Sequence, residues 1–175
     1  MNSSDIKKRL RVQFGYYDYK LYNTYIYSWE SDFFAISKSG YSVEVEIKIS
    51  RGDFNNDYKK TVGYSGKNKH EFLIDKTINK KPNKFYFACP EGLINLNEIN
   101  ENYGLIYVDD KHNQTVIKQA KYLHKDKILE SPIYLRKLLD KFYWRNMQLR
   151  QSMNLIEEDI YYGQTRINEL NKYFR

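Results

Sequence analysis

Hydrophobic and charged residues alternate most clearly along residues 41–49. Because successive side chains of a β-strand point to opposite faces, one face of this segment should enter the core and the other should carry a row of charges. The apolar set is Val43, Val45, Ile47 and Ile49, and the charged set is Glu44, Glu46 and Lys48.

The elements before this strand follow from the same kind of pattern. Ile6, Leu10 and Phe14 are spaced four apart and share one helical face, which predicts a helix. A turn at residues 38–40 predicts that the strand before it and the strand at 41–49 form a hairpin. The elements predicted here are a helix over residues 4–15, an extended segment over 16–29 and a strand over 33–37.

After the alternating strand the pattern predicts helices and two further strands. Ser50 and Asp53 match a capping box at the start of a helix. The segments predicted here are a helix over 50–60, a basic loop around Gly63 and Gly66, a short helix over 69–76, and strands over 84–89 and 105–108. From Gln114 to the end the pattern predicts helices, interrupted at Pro132 and Gly163.

This order predicts an α/β fold with a mixed central sheet flanked by helices. Residues 1–125 would form the core, and residues 126–175 would form a helical C-terminal extension packed on it. The chain length of 175 residues fits a single core of this kind.

Charge and cysteine content narrow the classes of function. A net charge of +7 favours a polyanionic partner, although a compositional bias toward lysine explains it equally well. The single cysteine, Cys89, excludes an internal disulfide and a zinc site built from several cysteines. No apolar run approaches membrane-spanning length, so we expect no membrane partner and a cytoplasmic protein.

The ionic face of the alternating strand has two interpretations. A solvated ladder of Glu and Lys side chains is common and needs no function. Alternatively, Asp32 opens the neighbouring strand of the hairpin and can reach the same face as Glu46 and Lys48. Two carboxylates and the Ile47 carbonyl suit Mg²⁺, which prefers oxygen ligands. A lysine beside them can stabilise charge on a phosphate.

These residues also resemble a known family. Glu46-Ile47-Lys48, preceded by Asp32 across a hairpin, resembles the active-site motif of the PD-(D/E)XK nuclease superfamily. The extension Ser-Arg-x-Asp-Phe at residues 50–54 is similar to the MmcB-like branch of DNA-repair and phage or mobile-element nucleases. Residues 82–93 and 103–108 resemble later strands of that branch. Ser31 stands where many members have proline.

The resemblance implies a restriction-endonuclease-like fold and a set of site residues. Asp32, Glu46 and the Ile47 carbonyl would bind Mg²⁺, for which Mn²⁺ can substitute, and Lys48 would assist catalysis. Glu30 and Glu44 are accessory candidates, each of which can equally be a partner for a nearby lysine. An alternative for each candidate for nucleic-acid contact is a local helix cap or a solvated basic loop. These candidates are Ser50, Arg51, Lys59, Lys60, Lys67, Lys69 and His70.

The predicted function is therefore a metal-dependent nuclease that hydrolyses phosphodiester bonds of DNA, with endonuclease favoured over exonuclease. Two alternatives stay open: a catalytically inactive nucleic-acid-binding module, and a phage or mobile-element protein-interaction factor on the same fold. Cleavage of two strands would need two sites, which a homodimer can provide. The expected location is the cytoplasm of a bacterial cell or of a phage-infected host.

Overall fold

A six-stranded mixed sheet forms the centre of the computed structural model, which describes residues 1–63 and 66–152. The strands are β1 (Tyr17–Thr24), β2 (Ser31–Ser37), β3 (Ser42–Ile47), β4 (Lys84–Pro90), β5 (Gly104–Val108) and β6 (Gln114–Lys118). They lie in chain order across the sheet. The pairs β1–β2, β2–β3 and β5–β6 are antiparallel, whereas β3–β4 and β4–β5 are parallel.

Four α-helices accompany the sheet in the described part of the chain. They are α1 (Ser3–Gln13), α2 (Arg51–Asp57), α3 (Lys69–Ile74) and α4 (Pro132–Ser152). Two 3-10 turns, Leu96–Glu98 and Ile128–Glu130, lie in the connections. The predicted fold class, a mixed central sheet flanked by helices with a helical C-terminal segment, is confirmed.

The first face of the sheet is apolar and is covered by α1. Ile6 and Leu10 are fully buried, as their helical spacing predicted. They pack in one core cluster with Val43, Val45 and Ile47 of β3. Removing this surface from water is the main favourable contribution of this face.

The second face of β3 is also buried, which the alternation alone did not reveal. Every residue of β3 is buried, including Glu44 and Glu46. The connection from β3 to β4 contains α2 and α3, and their apolar residues Phe54 and Leu73 are buried. The ring of Phe54 contacts Phe87 of β4 edge-on, at a centroid distance of 5.3 Å.

Two helix starts are defined by caps. Asn2 caps α1, and its side chain forms a capping box with Asp5. Ser50 caps α2, because its Oγ accepts a hydrogen bond from the Asp53 amide at 3.2 Å. The helix predicted over residues 50–60 is shorter, since α2 ends at Asp57.

Two other sequence predictions are wrong. Gln114–Lys118 is the edge strand β6 and not the start of a helix, because its half-buried and exposed residues alternate. Its half-buried Val116 packs against the apolar core cluster. Ile49 does not enter the core and is 47% exposed, because the strand ends at Ile47 and the chain turns into α2.

The chain divides into two compact units, residues 1–135 and 136–175. The helix α4 begins at Pro132, where a break was predicted, and continues to Ser152. Gly163 lies outside the described residues, and the packing of the extension on the core stays a prediction. Among the residues described, no helix is both long and apolar enough to cross a membrane.

Candidate active site

Asp32 and Glu46 meet at one end of the β2–β3 hairpin. The register pairs Phe33 with Val45, so Asp32 and Glu46 are the next two residues facing each other. Asp32 Oδ2 also accepts a hydrogen bond of 2.8 Å from the Ile47 amide. Asp32 is half-buried, whereas Glu46 is almost fully buried. The structure therefore brings the two predicted metal ligands together.

Three ammonium groups surround the Glu46 carboxylate. Its Oε1 lies 2.6 Å from the Nζ of Lys69. Its Oε2 lies 3.2 Å from the Nζ of Lys48 and 3.1 Å from that of Lys60. Although burial alone would raise the pKa of Glu46, the lysines, first among them Lys69, hold it below its usual value. Glu46 is therefore an anion.

Asp57 of α2 completes a four-group arrangement with Glu46. Its Oδ1 lies 2.7 Å from the Nζ of both Lys48 and Lys60. The same two ammonium groups thus bridge Glu46 Oε2 and Asp57 Oδ1 in an alternating square of charges. Lys48 is buried, whereas the Lys60 side chain is 45% exposed. Lys60 is consequently the cation that can leave toward solvent.

A second acid, Glu44, lies deeper along β3. Its Oε1 accepts a hydrogen bond of 2.7 Å from Trp29 Nε1 and lies 3.2 Å from the Nζ of Lys69. Lys69 is fully buried, and its ammonium lies over the rings of Trp29 and Phe85 at 5.4 and 5.2 Å. Burial raises the pKa of Glu44, and the nearby Lys69 only partly offsets it.

Carboxyl groups outnumber ammonium groups in this cluster. Its ammonium groups are those of Lys48, Lys60 and Lys69. The carboxyl groups are those of Asp32, Glu44, Glu46, Asp57 and Asp53, whose Oδ1 lies 3.8 Å from Lys48 Nζ. Five carboxyl groups therefore face three ammonium groups and the imidazole of His70. Burial and then the neighbouring Glu46 raise the pKa of Asp32, which is the expected effect of a carboxylate pair without a cation between its members.

The oxygen atoms of Asp32 and Glu46 suit a divalent cation, on the condition that one lysine moves away from Glu46. Asp32 and Glu46 face each other across the hairpin, and carboxyl groups outnumber ammonium groups around them. Glu46 already holds three ammonium groups, so a cation would have to displace the exposed Lys60. In the described part of the chain no group of three or more His, Cys, Asp or Glu side chains could hold a metal ion. The site thus depends on two carboxylates and a backbone carbonyl.

Several residues predicted to contact nucleic acid are already engaged. Ser50 Oγ caps α2. Arg51 forms a bidentate ion pair with Glu98, which helps to lower the pKa of that carboxyl to about 2. Lys67 Nζ lies 2.7 Å from Asp75. These pairs keep Arg51 and Lys67 near the surface but give each a protein partner.

Only part of the basic cluster predicted after residues 46–48 is exposed. Lys59 and Lys60 are exposed, but Lys69 and His70 are buried, contrary to expectation. Asn68 caps α3 by accepting a hydrogen bond of 2.8 Å from the His70 amide. Lys69 and His70 therefore lie in the first turn of α3, and both are buried. Lys69 and His70 face the acids of the site and not the solvent.

Of the two accessory candidates, only Glu44 joins the cluster. Glu30 is exposed, lies before the start of β2 and accepts a hydrogen bond of 3.3 Å from the Tyr25 hydroxyl. Asp57 is not among the predicted site residues, and the structure places it against Lys48. The available signal was its spacing of four from Asp53, which puts both acids on one side of α2.

Comparisons with known proteins support the fold and give no information on the function. No family model matches the chain, and no curated protein matches it. Among solved structures, it is similar to the SPO1766 protein of unknown function from Silicibacter pomeroyi, with a TM-score of 0.60 and 14% sequence identity. That similarity covers 90% of this chain and 94% of the other. At this identity it supports the fold alone.

Proposed function

We propose that this protein is a metal-dependent nuclease that hydrolyses phosphodiester bonds of DNA, with a site of the PD-(D/E)XK type. The observation that carries the proposal is the meeting of Asp32, Glu46 and Lys48 at one end of the β2–β3 hairpin, in a cluster where five carboxyl groups face three ammonium groups. A surface salt bridge would not require five buried or half-buried carboxylates around three lysines.

The residues divide the work of phosphodiester hydrolysis. Asp32, Glu46 and the Ile47 carbonyl would hold a divalent metal, which when bound supplies Lewis acidity and lowers the pKa of a bound water. Lys48 is held between Glu46 and Asp57, so its ammonium is aimed at the end of the hairpin. There it can donate to a phosphate oxygen as negative charge develops.

Lys60 links substrate binding to the state of the site. Its ammonium bridges Glu46 and Asp57 from the solvent side. Although partial burial lowers the pKa of Lys60, these two carboxylates raise it above its usual value while Lys60 bridges them. A freed Lys60 and the exposed Lys59 would contact the phosphate backbone beside the cleaved bond.

The substrate and setting follow from the same proposal. A chain with a net charge of +7 suits a polyanion, and DNA is favoured over RNA through the family resemblance. An endonuclease acting on both strands would place two sites in a homodimer. The cytoplasm of a bacterial or phage-infected cell is where such a protein would meet its substrate.

One observation favours the alternative of an inactive binding module. Three ammonium groups occupy both oxygens of Glu46, which is an arrangement that neutralises the acid without a metal. In that case the protein would bind DNA with a strong dependence on salt and would not cleave it. A protein-interaction factor would show neither property.

A cleavage assay tests the proposal. Plasmid and single-stranded DNA are incubated with Mg²⁺, Mn²⁺ or EDTA, and the products are separated on gels. We expect cleavage with either metal, none in EDTA, and a loss of about 100-fold or more for Glu46→Gln and Lys48→Ala. The matched controls Glu101→Gln and Lys121→Ala alter an exposed ion pair and should retain activity. Equal cleavage by all four variants would refute the proposed site.

A further inference from the structure

We propose that His70 and Asp57 form a positioning pair that fixes the ammonium groups of Lys48 and Lys60; this inference deepens the proposed function and rests on it. His70 Nε2 lies 3.0 Å from Asp57 Oδ2. The other oxygen, Oδ1, lies 2.7 Å from each of the two Nζ atoms. One carboxylate therefore joins the imidazole on one side to both lysines on the other.

Hydrogen bonds link Asp57, His70 and Tyr103. The ionised Asp57 can only accept, so His70 Nε2 carries a proton and donates to Oδ2. On the other side of the ring, His70 Nδ1 lies 3.1 Å from the Tyr103 hydroxyl, which also lies 3.4 Å from the His70 carbonyl oxygen and can donate to it. Tyr103 is fully buried, and burial raises its pKa, so the hydroxyl keeps its proton.

Aromatic rings hold the imidazole in this orientation. Tyr58 stacks on His70 with a centroid distance of 4.2 Å and an interplanar angle of 25°. Phe85 meets the imidazole edge-on at 5.9 Å from another direction. With the ring plane fixed, rotation of the Asp57 carboxylate would break the bond to Nε2.

A cavity gives experimental access to this pair. It has a volume of about 300 Å³ and borders the rings of His70, Tyr58 and Tyr103. Truncation of His70 would enlarge this space toward Asp57. A small heterocycle entering from solvent could then occupy the position of the missing imidazole.

Positioning and general structural support predict different results for the three lysines. Lys48 and Lys60 contact Asp57, whereas Lys69 contacts Glu44 and Glu46. Lys69 also interacts with Asp57 electrostatically and shares Phe85 with His70. A positioning role therefore requires that loss of His70 disturb the first two ammonium groups more than the third. A general loss of packing would disturb all three.

The test uses His70→Gly in the full chain, with imidazole added to fill the gap. Side-chain ammonium signals of ¹⁵N-labelled protein report the lysines directly, and cleavage kinetics report their effect. We expect the Lys48 and Lys60 signals to shift or broaden and kcat to fall about 10- to 100-fold with little change in KM. Added imidazole should restore both, while the Lys69 signal changes least of the three.

His70→Gln provides a second variant if His70→Gly does not fold. Its amide nitrogen can donate to Asp57 from near the position of Nε2, so it should retain the Lys48 and Lys60 signals. The pair is overturned if those signals are the same in His70→Gly and wild type. It is also overturned if all three signals are lost in His70→Gly and imidazole restores none, or if His70→Gln loses them with Lys69.

The two proposals fail in different ways. If wild-type protein cleaves DNA and His70→Gly cleaves it equally well, the positioning pair is wrong and the nuclease stands. If wild-type protein does not cleave but the ammonium signals of Lys48 and Lys60 alone depend on His70, the nuclease is wrong. In that case the pair stands as a property of the fold.

Discussion

The two faces of β3 bury similar numbers of side chains but differ in how they tolerate the replacement of one of them. On the α1 face, Val43, Val45 and Ile47 pack in an aliphatic cluster. On the α2–α3 face, Glu44 and Glu46 are equally buried but are surrounded by ammonium groups. Apolar contacts are non-directional, so their members are interchangeable at similar volume. Buried charges depend on the presence of every partner.

This difference bears on the proposed function. Replacing buried ion pairs with apolar residues of similar volume is often neutral or stabilising, so an ionic face is weak evidence for stability. The ionic face of β3 carries Glu46, and Asp32 of β2 and Lys48 lie beside it. Under the proposed function, the apolar face stabilises the fold and the ionic face serves the chemistry.

The largest expected effect is on stability, from Lys69→Met. Methionine keeps the approximate volume but leaves the buried Glu44 without an ammonium partner and removes one of the three that contact Glu46. We therefore expect a loss of about 3–5 kcal/mol in the free energy of unfolding. Leu10→Met on the α1 face should cost less than about 1.5 kcal/mol. Urea denaturation measures both. Similar small losses for the two variants would show that the faces do not differ.

A divalent cation should stabilise the ionic face and leave the α1 face untouched. Mg²⁺ at about 100 times its dissociation constant should raise the free energy of unfolding by about 2.7 kcal/mol, because it binds only the folded chain. Asp32→Asn should abolish this increase, whereas Leu10→Met should retain it. Urea titrations at several Mg²⁺ concentrations provide the measurement. An equal increase in Asp32→Asn would place the ion elsewhere.

A smaller effect is expected on the pH dependence of stability, which should differ in sign between Glu44 and Glu46. The pKa of Glu44 is raised, so the folded state binds its proton more tightly, and stability from this group falls as pH rises above about 4.5. Glu44→Gln keeps an acceptor for Trp29 and removes that fall. Its stability relative to wild type should therefore increase with pH from about 4 upward. A difference that is constant with pH would contradict the assignment.

Glu46 provides the contrasting case. Its pKa is lowered, so its contribution is present above about 4.5 and is lost as pH falls through the folded value. Glu46→Gln should therefore lose stability relative to wild type mainly above that pH. Thermal unfolding from pH 3 to 7 distinguishes the opposite slopes of the two variants.

The smallest effect is expected from substitution of the exposed Lys59. Lys59→Ala should change the free energy of unfolding by no more than about 0.5 kcal/mol. If Lys59 contacts a phosphate, the slope of log affinity for DNA against log salt should decrease by about one. Fluorescence anisotropy with a labelled duplex measures the slope. Lys121→Ala, which removes an exposed lysine of the Glu101 pair, should leave it unchanged.

The sequence predicted the site better where the information was local. Alternation along β3 separated its two faces, and the turn at residues 38–40 led to the hairpin that joins Asp32 and Glu46. The burial of Lys69 and His70 could not be inferred in the same way. It depends on α3 lying over the acids of β3, which is a tertiary contact between residues more than 20 positions apart.

The errors at the strand ends have a similar origin. Ile49 continues the apolar alternation, but the backbone leaves the sheet after Ile47. The segment Gln114–Lys118 is too short for its two-residue period to outweigh the helical pattern after it, and pairing with β5 decides its structure. In both cases strand pairing, and not local sequence, sets the boundary.

The central claim is that Asp32, Glu46 and the Ile47 carbonyl hold a divalent metal ion. Anomalous diffraction from crystals soaked in Mn²⁺ tests it directly. We expect a peak between the two carboxylates at about 2.0–2.3 Å from their oxygens, with the Lys60 ammonium displaced toward solvent. An empty position, with Lys60 still bridging Glu46 and Asp57 at saturating Mn²⁺, would contradict the account.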